Sequence, residues 1–244
     1  MKTKILTLLL ITGLAFFNSC DTNDDETILP PPIEHLTEVW NLENVFGGLM
    51  GTNIDYNLGE VIWIFNITEN TLKVYNNIIS TGPEDIHAGF ETGVYDFIIT
   101  KEGDDQVLYV DDRKFGVVVV SSDGTLTIDE GLALDGFVST FKRSETLNGS
   151  FQGSFKRDDK TANVTLNLNN NVFSGTSDVD KFPAICNGIY TISENNIFFM
   201  NECIWTADFD WTLILSGNWS YDLNPNSVLT MTEDNGDQYI LTKL

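Results

Sequence analysis

The feature that most constrains the fold of this chain is an alternation of apolar and polar side chains. In residues 162–169, alanine, valine and leucine alternate with asparagine and threonine, and every second position of residues 205–215 is apolar or aromatic. Successive side chains of a strand point to opposite faces, so this pattern indicates strands with one buried face. No part of the chain after the N-terminal segment keeps the helical apolar period of about 3.6 residues. The sequence therefore predicts an all-β fold.

Two sets of strand-like runs follow one another along the chain, separated by turn sequences such as Ser122-Asp123-Gly124 and Asp234-Asn235-Gly236. Short strands joined by hairpin turns predict an antiparallel sandwich or barrel. The first set of predicted strands is 39–46, 61–67, 72–75, 93–99, 107–110, 115–120, 126–128 and 137–142. The second set is 149–156, 162–168, 188–192, 197–200, 205–215, 218–223, 228–232 and 239–242.

The two sets resemble each other at a spacing of about 100 residues. The matches are Gly93-Val94-Tyr95 with Gly188-Ile189-Tyr190, Leu126-Thr127-Ile128 with Leu229-Thr230-Met231, and Asp135-Gly136 with Asn235-Gly236. A repeat of this length is typical of a small domain rather than of a propeller blade or a solenoid unit. We predict two tandem antiparallel β-barrel domains, residues 35–143 and 147–244, that meet near residues 144–147. One continuous larger barrel is the alternative.

The N-terminus is typical of a secretory signal. Lys2 and Lys4 precede an uncharged apolar segment, residues 5–17, which is shorter than the roughly 20 residues that a membrane-spanning helix needs. The segment ends in Phe17-Asn18-Ser19-Cys20, which resembles the lipobox of bacterial lipoproteins. That resemblance implies cleavage of residues 1–19 as a signal peptide and lipidation of Cys20, including a palmitate-like acyl chain. A cysteine buried in a core is the alternative.

Residues 20–34 are predicted to be a flexible linker, since acidic residues and the run Pro30-Pro31-Pro32 bury little surface. The acidic cluster behind Cys20 also resembles the surface-export signal of Bacteroidetes lipoproteins. The resemblance implies an outer-membrane, lipid-anchored protein at the cell surface, and the periplasmic face is the alternative.

Charge excludes one class of partner. The chain has 13 Lys and Arg against 36 Asp and Glu, a net charge of −23. Nucleic acids are bound through basic patches, and the sequence contains none, so we expect no nucleic-acid partner. The same charge disfavours direct adhesion to anionic lipids, so membrane attachment is expected through the lipid anchor alone.

A longer resemblance covers residues 36–143. The segments 40–45, 47–48, 59–66, 134–137 and 141–143 resemble the lipocalin-like domains of Bacteroidetes lipoproteins. Residues 147–244, with the tryptophan-rich segment 205–215, look like a companion β domain of similar lipoproteins. The resemblance implies small barrels with an interior that is open to a ligand.

The two remaining cysteines flank a predicted hairpin with its turn at residues 193–196. If Ile192 pairs with Ile197, stepping back along both strands places Cys186 opposite Cys203. Cross-strand cysteines can form a disulfide, and an oxidising envelope permits one. A metal pair or two free thiols are the alternatives.

Catalytic and metal-binding patterns are scarce, and we expect no cofactor, no metal and no enzymatic activity. The two histidines, His35 and His87, belong to no nucleophile or zinc motif. Loop acids such as Asp104 and Asp105 do not have EF-hand spacing. Asp208 and Asp210, on one face of the predicted strand 205–215, are the best carboxylate pair, but a solvated outer face is the preferred explanation for them.

Two hypotheses for function follow. The first is a non-enzymatic binding or scaffolding module that carries a small apolar ligand or contacts an envelope protein partner. Its candidate cavity-lining residues are Trp63, Phe65, Trp205, Phe209 and Trp211. A core packed by these same side chains is the alternative to a cavity. The second hypothesis is an envelope enzyme that acts on glycans through surface carboxylates.

Overall fold

Strands make up almost all of the regular structure in the computed structural model, which describes residues 36–131, 135–206 and 208–244. The first half contains β1 (Val39–Gly47), β2 (Thr52–Asp55), β3 (Val61–Asn66), β4 (Thr71–Asn76), α1 (Pro83–His87), β5 (Gly93–Glu102), β6 (Asp105–Val110), β7 (Arg113–Val120), β8 (Thr125–Asp129) and β9 (Phe137–Arg143). The second half contains β10 (Gly149–Arg157), β11 (Lys160–Asn169), β12 (Val172–Ser177), β13 (Asn187–Ser193), β14 (Asn196–Asn201), a 3₁₀ helix (Trp211–Leu213), β15 (Gly217–Leu223), β16 (Val228–Thr232) and β17 (Gln238–Lys243).

The first barrel is an antiparallel sheet that closes through pairing of β1 with β9. The start of β1 pairs with β3, whereas its end pairs with β2. β2 and β3 therefore occupy one position around the barrel, with a break between them at residues 56–60. The second barrel closes through pairing of β10 with β17, and its strands β10 to β17 follow one another in chain order.

Each barrel has its own apolar core, formed by the inward face of each strand. Trp40, Trp63 and Phe65 are buried in the first core, and Phe155, Tyr190 and Tyr239 in the second. Trp40 lies where the chain enters the first barrel, and its Nε1 donates a hydrogen bond to the carbonyl oxygen of Leu36, 3.0 Å away. Leu36 and Trp40 are both buried, so the entering chain covers this end of the core.

The predicted fold class, two tandem antiparallel β-barrels, is confirmed, and one continuous larger barrel is excluded. The repeated segments fall on strands at the same position in the two barrels: β5 and β13, then β8 and β16. Residues 1–35, which contain the predicted signal, linker and Cys20, lie outside the described residues. In the described part of the chain, no helix is long and apolar enough to cross a membrane.

The sequence prediction misses β2 and β12, because neither has a clear alternation. β12 reads Val-Phe-Ser-Gly-Thr-Ser, and Phe173 is its only fully buried side chain. Gly175 in the same strand lies so close to the Thr165 carbonyl oxygen that a Cβ atom there would be 2.5 Å from it. β12 therefore depends on a close approach of its backbone to that of β11, and a pattern of apolar residues does not reveal such an approach.

The two barrels pack against each other through a third apolar cluster. Its buried members are Val39, Ile62 and Tyr75 from the first barrel and Ile189 from the second, with Ile64, Phe198 and Met200 around them. In β3, Trp63 points to the first core whereas Ile62 and Ile64 belong to this interface. β3 is thus buried on both faces, which explains its unbroken apolar sequence.

Polar contacts surround the apolar interface and fix the junction between the barrels. Asn41 Nδ2 donates to Thr191 Oγ1 between buried side chains. Ser144, in the connecting segment, donates its backbone N–H to the Val39 carbonyl in the first barrel. Its Oγ accepts a hydrogen bond from the Ile192 N–H in the second barrel. The connection is therefore hydrogen-bonded to both barrels.

The first prediction concerns the interface. Replacing Ile62 with alanine removes a fully buried side chain between the barrels, and we expect the free energy of unfolding to fall by about 2–5 kcal/mol. Urea unfolding followed by tryptophan fluorescence measures the change. The control is Ile98→Ala on β5, whose side chain is 50% exposed and should change stability by less than about 0.5 kcal/mol.

A double variant separates the interface from the core of one barrel. Ile62 and Ile189 lie in different barrels but in one cluster. The loss of unfolding free energy in the double variant Ile62→Ala/Ile189→Ala should therefore be smaller than the sum of the losses in the two single variants. If the two losses of unfolding free energy are strictly additive, packing of the two barrels against each other is contradicted.

The second prediction concerns how stability depends on pH at Glu202. Tyr75 Oη and Lys73 Nζ both donate hydrogen bonds to Glu202 Oε1 across the interface, and these bonds lower the pKa of Glu202. A lowered folded-state pKa gives stability that is present above the unfolded-state pKa and is lost as pH falls through the folded-state value. The stability difference between the wild type and Glu202→Gln should therefore shrink below about pH 4.5. Urea titrations at several pH values test it, and a pH-independent difference would contradict it.

Candidate functional site

A partly open cavity of about 220 Å³ lies at one end of the first barrel. Its lining includes Leu42, Val45, Trp63, Ile86, His87, Ala88, Gly89, Phe115, Glu130, Phe137, Ser139 and Phe141. Most of these side chains are apolar or aromatic, and a few polar groups stand among them. This composition is typical of sites for small ligands, although the volume is below the usual range of roughly 300–1,000 Å³.

The cavity lies at the end of the barrel remote from the entry of the chain. β1 runs from the closed end near Leu36 to Gly47, and the Gly48 N–H donates to the Gly136 carbonyl at the far end. The His87 ring of α1 lies 4.7 Å from the Phe137 ring at that same end. Helix α1 therefore covers the cavity and forms part of its wall.

Helix α1 is fixed to the barrel by Tyr56. This residue follows β2, and its hydroxyl donates to the Glu84 carbonyl oxygen at 2.9 Å. Burial and the nearby Glu84 carboxylate raise the pKa of Tyr56 to about 12, so the hydroxyl keeps its proton at any physiological pH. Helix α1 is thus held by the Tyr56 hydroxyl, which does not lose its proton at physiological pH.

Trp63 is the centre of the aromatic part of the cavity. Its ring centroid lies 4.7 Å from that of Phe141, 5.5 Å from Phe90 and 5.6 Å from Phe115. Phe65, two residues along β3, packs edge-on at 6.0 Å and continues into the core. Trp63, predicted from the sequence to line a cavity, is therefore at the cavity wall, whereas Phe65 is a core side chain next to it.

Trp63 also carries a buried donor without an acceptor. Its Nε1–H has no hydrogen-bond partner among the described residues, and the side chain is 1% exposed. Burying an unpaired N–H costs roughly 1–3 kcal/mol, so most buried indole groups find a partner. Trp40, in the same barrel, does find one. Nε1 itself is buried, so the cavity lining would have to shift before a ligand could accept a hydrogen bond from it.

Two further polar groups line the cavity. Partial burial, together with the neighbouring Asp129 carboxylate, raises the pKa of Glu130. Ser139, on β9, is buried. Sequence analysis missed both residues, as well as His87, because nothing in the alternation marks which end of a barrel remains open.

Trp205, Phe209 and Trp211 do not lie on a strand. The predicted strand 205–215 is wrong, because β14 pairs directly with β15, and the described residues between them, 202–206 and 208–216, belong to no strand. We call this connection the loop 202–216. Asp210 accepts a hydrogen bond from the Thr212 N–H and begins the 3₁₀ helix Trp211–Leu213. This side-chain bond competes with an extended ladder. The three rings are outside the core cluster of the second barrel, and Trp211 is 57% exposed.

The disulfide between Cys186 and Cys203 is confirmed, with Cα atoms 6.4 Å apart. The predicted hairpin register is also present, since Ile192 pairs with Ile197. The bond joins the segment before β13 to the start of the loop 202–216.

The carboxylate pair Asp208 and Asp210 is not on a shared strand face. Hydrogen bonds from Thr212 and the charge of Arg157 lower the pKa of Asp210, whereas a general acid of a glycosidase needs a raised pKa. No group of three or more His, Cys, Asp or Glu side chains in the described ranges is arranged to hold a metal ion.

A second concave surface, of about 620 Å³, lies at the junction of the barrels and is open and polar. Glu38, Glu43 and Asp123 line it together with Lys142 and Arg143. Arg143 forms an ion pair with Glu38 at 3.1 Å. Since its charges are partly paired and solvated, this cleft lacks the apolar enclosure of the cavity in the first barrel.

Comparisons with known proteins identify no relative: no family model matches the chain, and neither the curated proteins nor the solved structures contain a match.

Proposed function

We propose that this protein is a lipid-anchored, non-enzymatic binding module of a bacterial envelope. In this proposal the first barrel holds a small, mainly apolar ligand beneath helix α1. The cavity around Trp63, with its unpaired Nε1–H, is the observation that carries the proposal. The second barrel and its interface hold the first barrel in a fixed orientation.

The cavity lining and the Trp63 Nε1–H limit which class of ligand this proposal includes. The aromatic wall favours a compact apolar body, and a small shift of the lining would let the buried Trp63 Nε1–H pair with a single hydrogen-bond acceptor on it, such as a ketone or ester oxygen. The net charge of −23 and the nearby Glu130 disfavour an anionic ligand. A neutral compound smaller than most drugs satisfies all of these conditions.

The anchoring part of the proposal rests on the resemblance of residues 17–20 to a lipobox and of residues 36–143 to lipocalin-like domains of Bacteroidetes lipoproteins. The geometry is compatible with it in one respect. The chain enters the first barrel at its closed end, so a tether attached at Cys20 would leave the cavity end free.

The third prediction tests the ligand class with two compounds of similar shape, acetophenone and ethylbenzene. Because only the ketone can accept a hydrogen bond, we expect wild-type protein to bind acetophenone roughly five-fold more tightly. Trp63→Phe should remove this preference while it keeps most of the apolar contact. Titrations followed by ligand-observed NMR measure both affinities.

Two further variants complete this test. Trp40→Phe removes the paired donor of the other buried tryptophan and should keep the preference for the ketone. Ala88→Leu places a larger side chain at the cavity wall and should weaken binding of both compounds. The proposal fails if neither compound binds the wild type, or if Ala88→Leu binds both unchanged.

The fourth prediction tests the anchor. When the full-length chain is expressed in a bacterium, Cys20→Ser should move it from the membrane fraction to the soluble fraction and abolish incorporation of labelled palmitate. Cys186→Ser is the matched control, because it also removes a cysteine but should leave the protein in the membrane fraction. Membrane association of Cys20→Ser, or a wild type without the palmitate label, would overturn the anchor.

A further inference from the structure

The loop 202–216 of the second barrel carries three neighbouring aromatic rings, of which Trp205 and Phe209 are half-buried and Trp211 is 57% exposed. The Trp205 and Phe209 centroids are 5.7 Å apart, and Phe209 stacks on Trp211 at 5.8 Å with an angle of 19° between the planes. We call Trp205, Phe209 and Trp211 the aromatic row. Leu213, in the same 3₁₀ helix as Trp211, packs against the core instead. The helix therefore directs Leu213 inward and leaves Trp211 exposed.

Arg157, at the end of β10, fixes the loop beneath the aromatic row. Its guanidinium donates to both carboxylate oxygens of Asp237, a side chain that is 3% exposed. The same guanidinium donates to Asp210 Oδ2 at 3.1 Å and to the Thr212 carbonyl oxygen at 2.9 Å. One charged group thus joins the barrel wall, the turn before β17 and the loop.

Covalent and backbone contacts fix the loop at both ends. The Cys186–Cys203 disulfide holds its start. Near its end, the Leu215 N–H donates to the Ala184 carbonyl, and the Ala184 N–H donates to the Leu213 carbonyl. Both ends of the loop that carries the aromatic row are therefore fixed to the barrel.

The polar groups beside the row complement hydroxyl groups. Asp208 is exposed directly before Phe209 in the loop and can accept hydrogen bonds. Lys181 Nζ lies over the Phe209 ring, 5.5 Å from its centroid, and can donate hydrogen bonds beside the exposed Trp211 ring. A pyranose ring has the matching surface. The C–H bonds on one of its faces carry partial positive charge and pack on the electron-rich face of an aromatic ring, while its hydroxyl groups point outward.

We propose that the aromatic row with Asp208 and Lys181 is a binding site for a neutral saccharide. The net charge of −23 and the exposed carboxylate disfavour anionic glycans and nucleic acids. Trp211 is 57% exposed, so a purely apolar ligand on its ring would stay partly in water. In this site Asp210 is ion-paired with Arg157 and positions the loop.

Glycan arrays of neutral and anionic oligosaccharides, probed with the full-length wild-type protein, test the proposal. We expect retention on neutral glycans only. The neutral oligosaccharide retained most strongly is then titrated, with tryptophan emission as the readout. Trp211→Ala should lower its affinity roughly ten-fold or more, by analogy with base stacking on aromatic side chains. Trp211→Phe should restore part of the affinity, and Asp208→Asn should lower it several-fold.

Ile79→Ala is the matched control, because Ile79 is 98% exposed but belongs to the first barrel. It should leave saccharide affinity unchanged, and so should Ala88→Leu in the cavity of the first barrel. Near-UV circular dichroism checks that each loop variant keeps its fold. The proposal is overturned if no neutral glycan is retained, if anionic glycans bind equally well, or if folded Trp211→Ala binds like the wild type.

Discussion

The packing of one barrel on the other depends on strands that are apolar on both faces. β3 contributes Trp63 to the first core and Ile62 to the interface, and β13 contributes Tyr190 to the second core and Ile189 to the same interface. A barrel wall normally turns its outer face to water, and two such walls would not hold a fixed relative position. Because these outer faces are apolar and the connecting Ser144 is hydrogen-bonded to both barrels, the two domains form one unit. The cavity and the aromatic row are held in a constant relation by this packing.

Much of the fold follows from local patterns in the sequence. Alternation predicts most of the strands, and the repeated segments predict two domains because equivalent strands of the two barrels carry similar side chains. The interface also leaves a signal, since residues 61–65 are apolar without interruption. A continuous run of this kind indicates a strand buried on both faces, and in an antiparallel barrel the second face requires a partner surface. The alternation alone does not identify which surface that is, because the partner lies about 130 residues further along the chain.

The loop 202–216 shows where a periodic pattern misleads. Its aromatic residues alternate as they would in a strand, yet hydrogen bonds from Arg157 and Thr212 to Asp210 select a turn. Arg157 is distant in sequence, and its partner Asp237 is buried in a third segment, so no local window contains this competition. The disulfide was predictable because it depends only on the register of one hairpin. The register of one hairpin can thus be predicted from the sequence, whereas the ion-pair network that joins Arg157, Asp210 and Asp237 cannot.

The two candidate sites use aromatic side chains in physically different ways. Around Trp63 the rings pack together at the wall of a cavity, and the indole N–H among them is buried without a partner in the described residues. In the aromatic row the Trp211 ring lies at the surface, where hydrogen bonds exchange with water and selectivity must come from the shape of a ring face. A compact neutral molecule suits the first environment, and a hydroxylated ring suits the second. Since the sites lie in different barrels, each can be altered without a change in the other, and the rigid interface keeps both presented by a single unit.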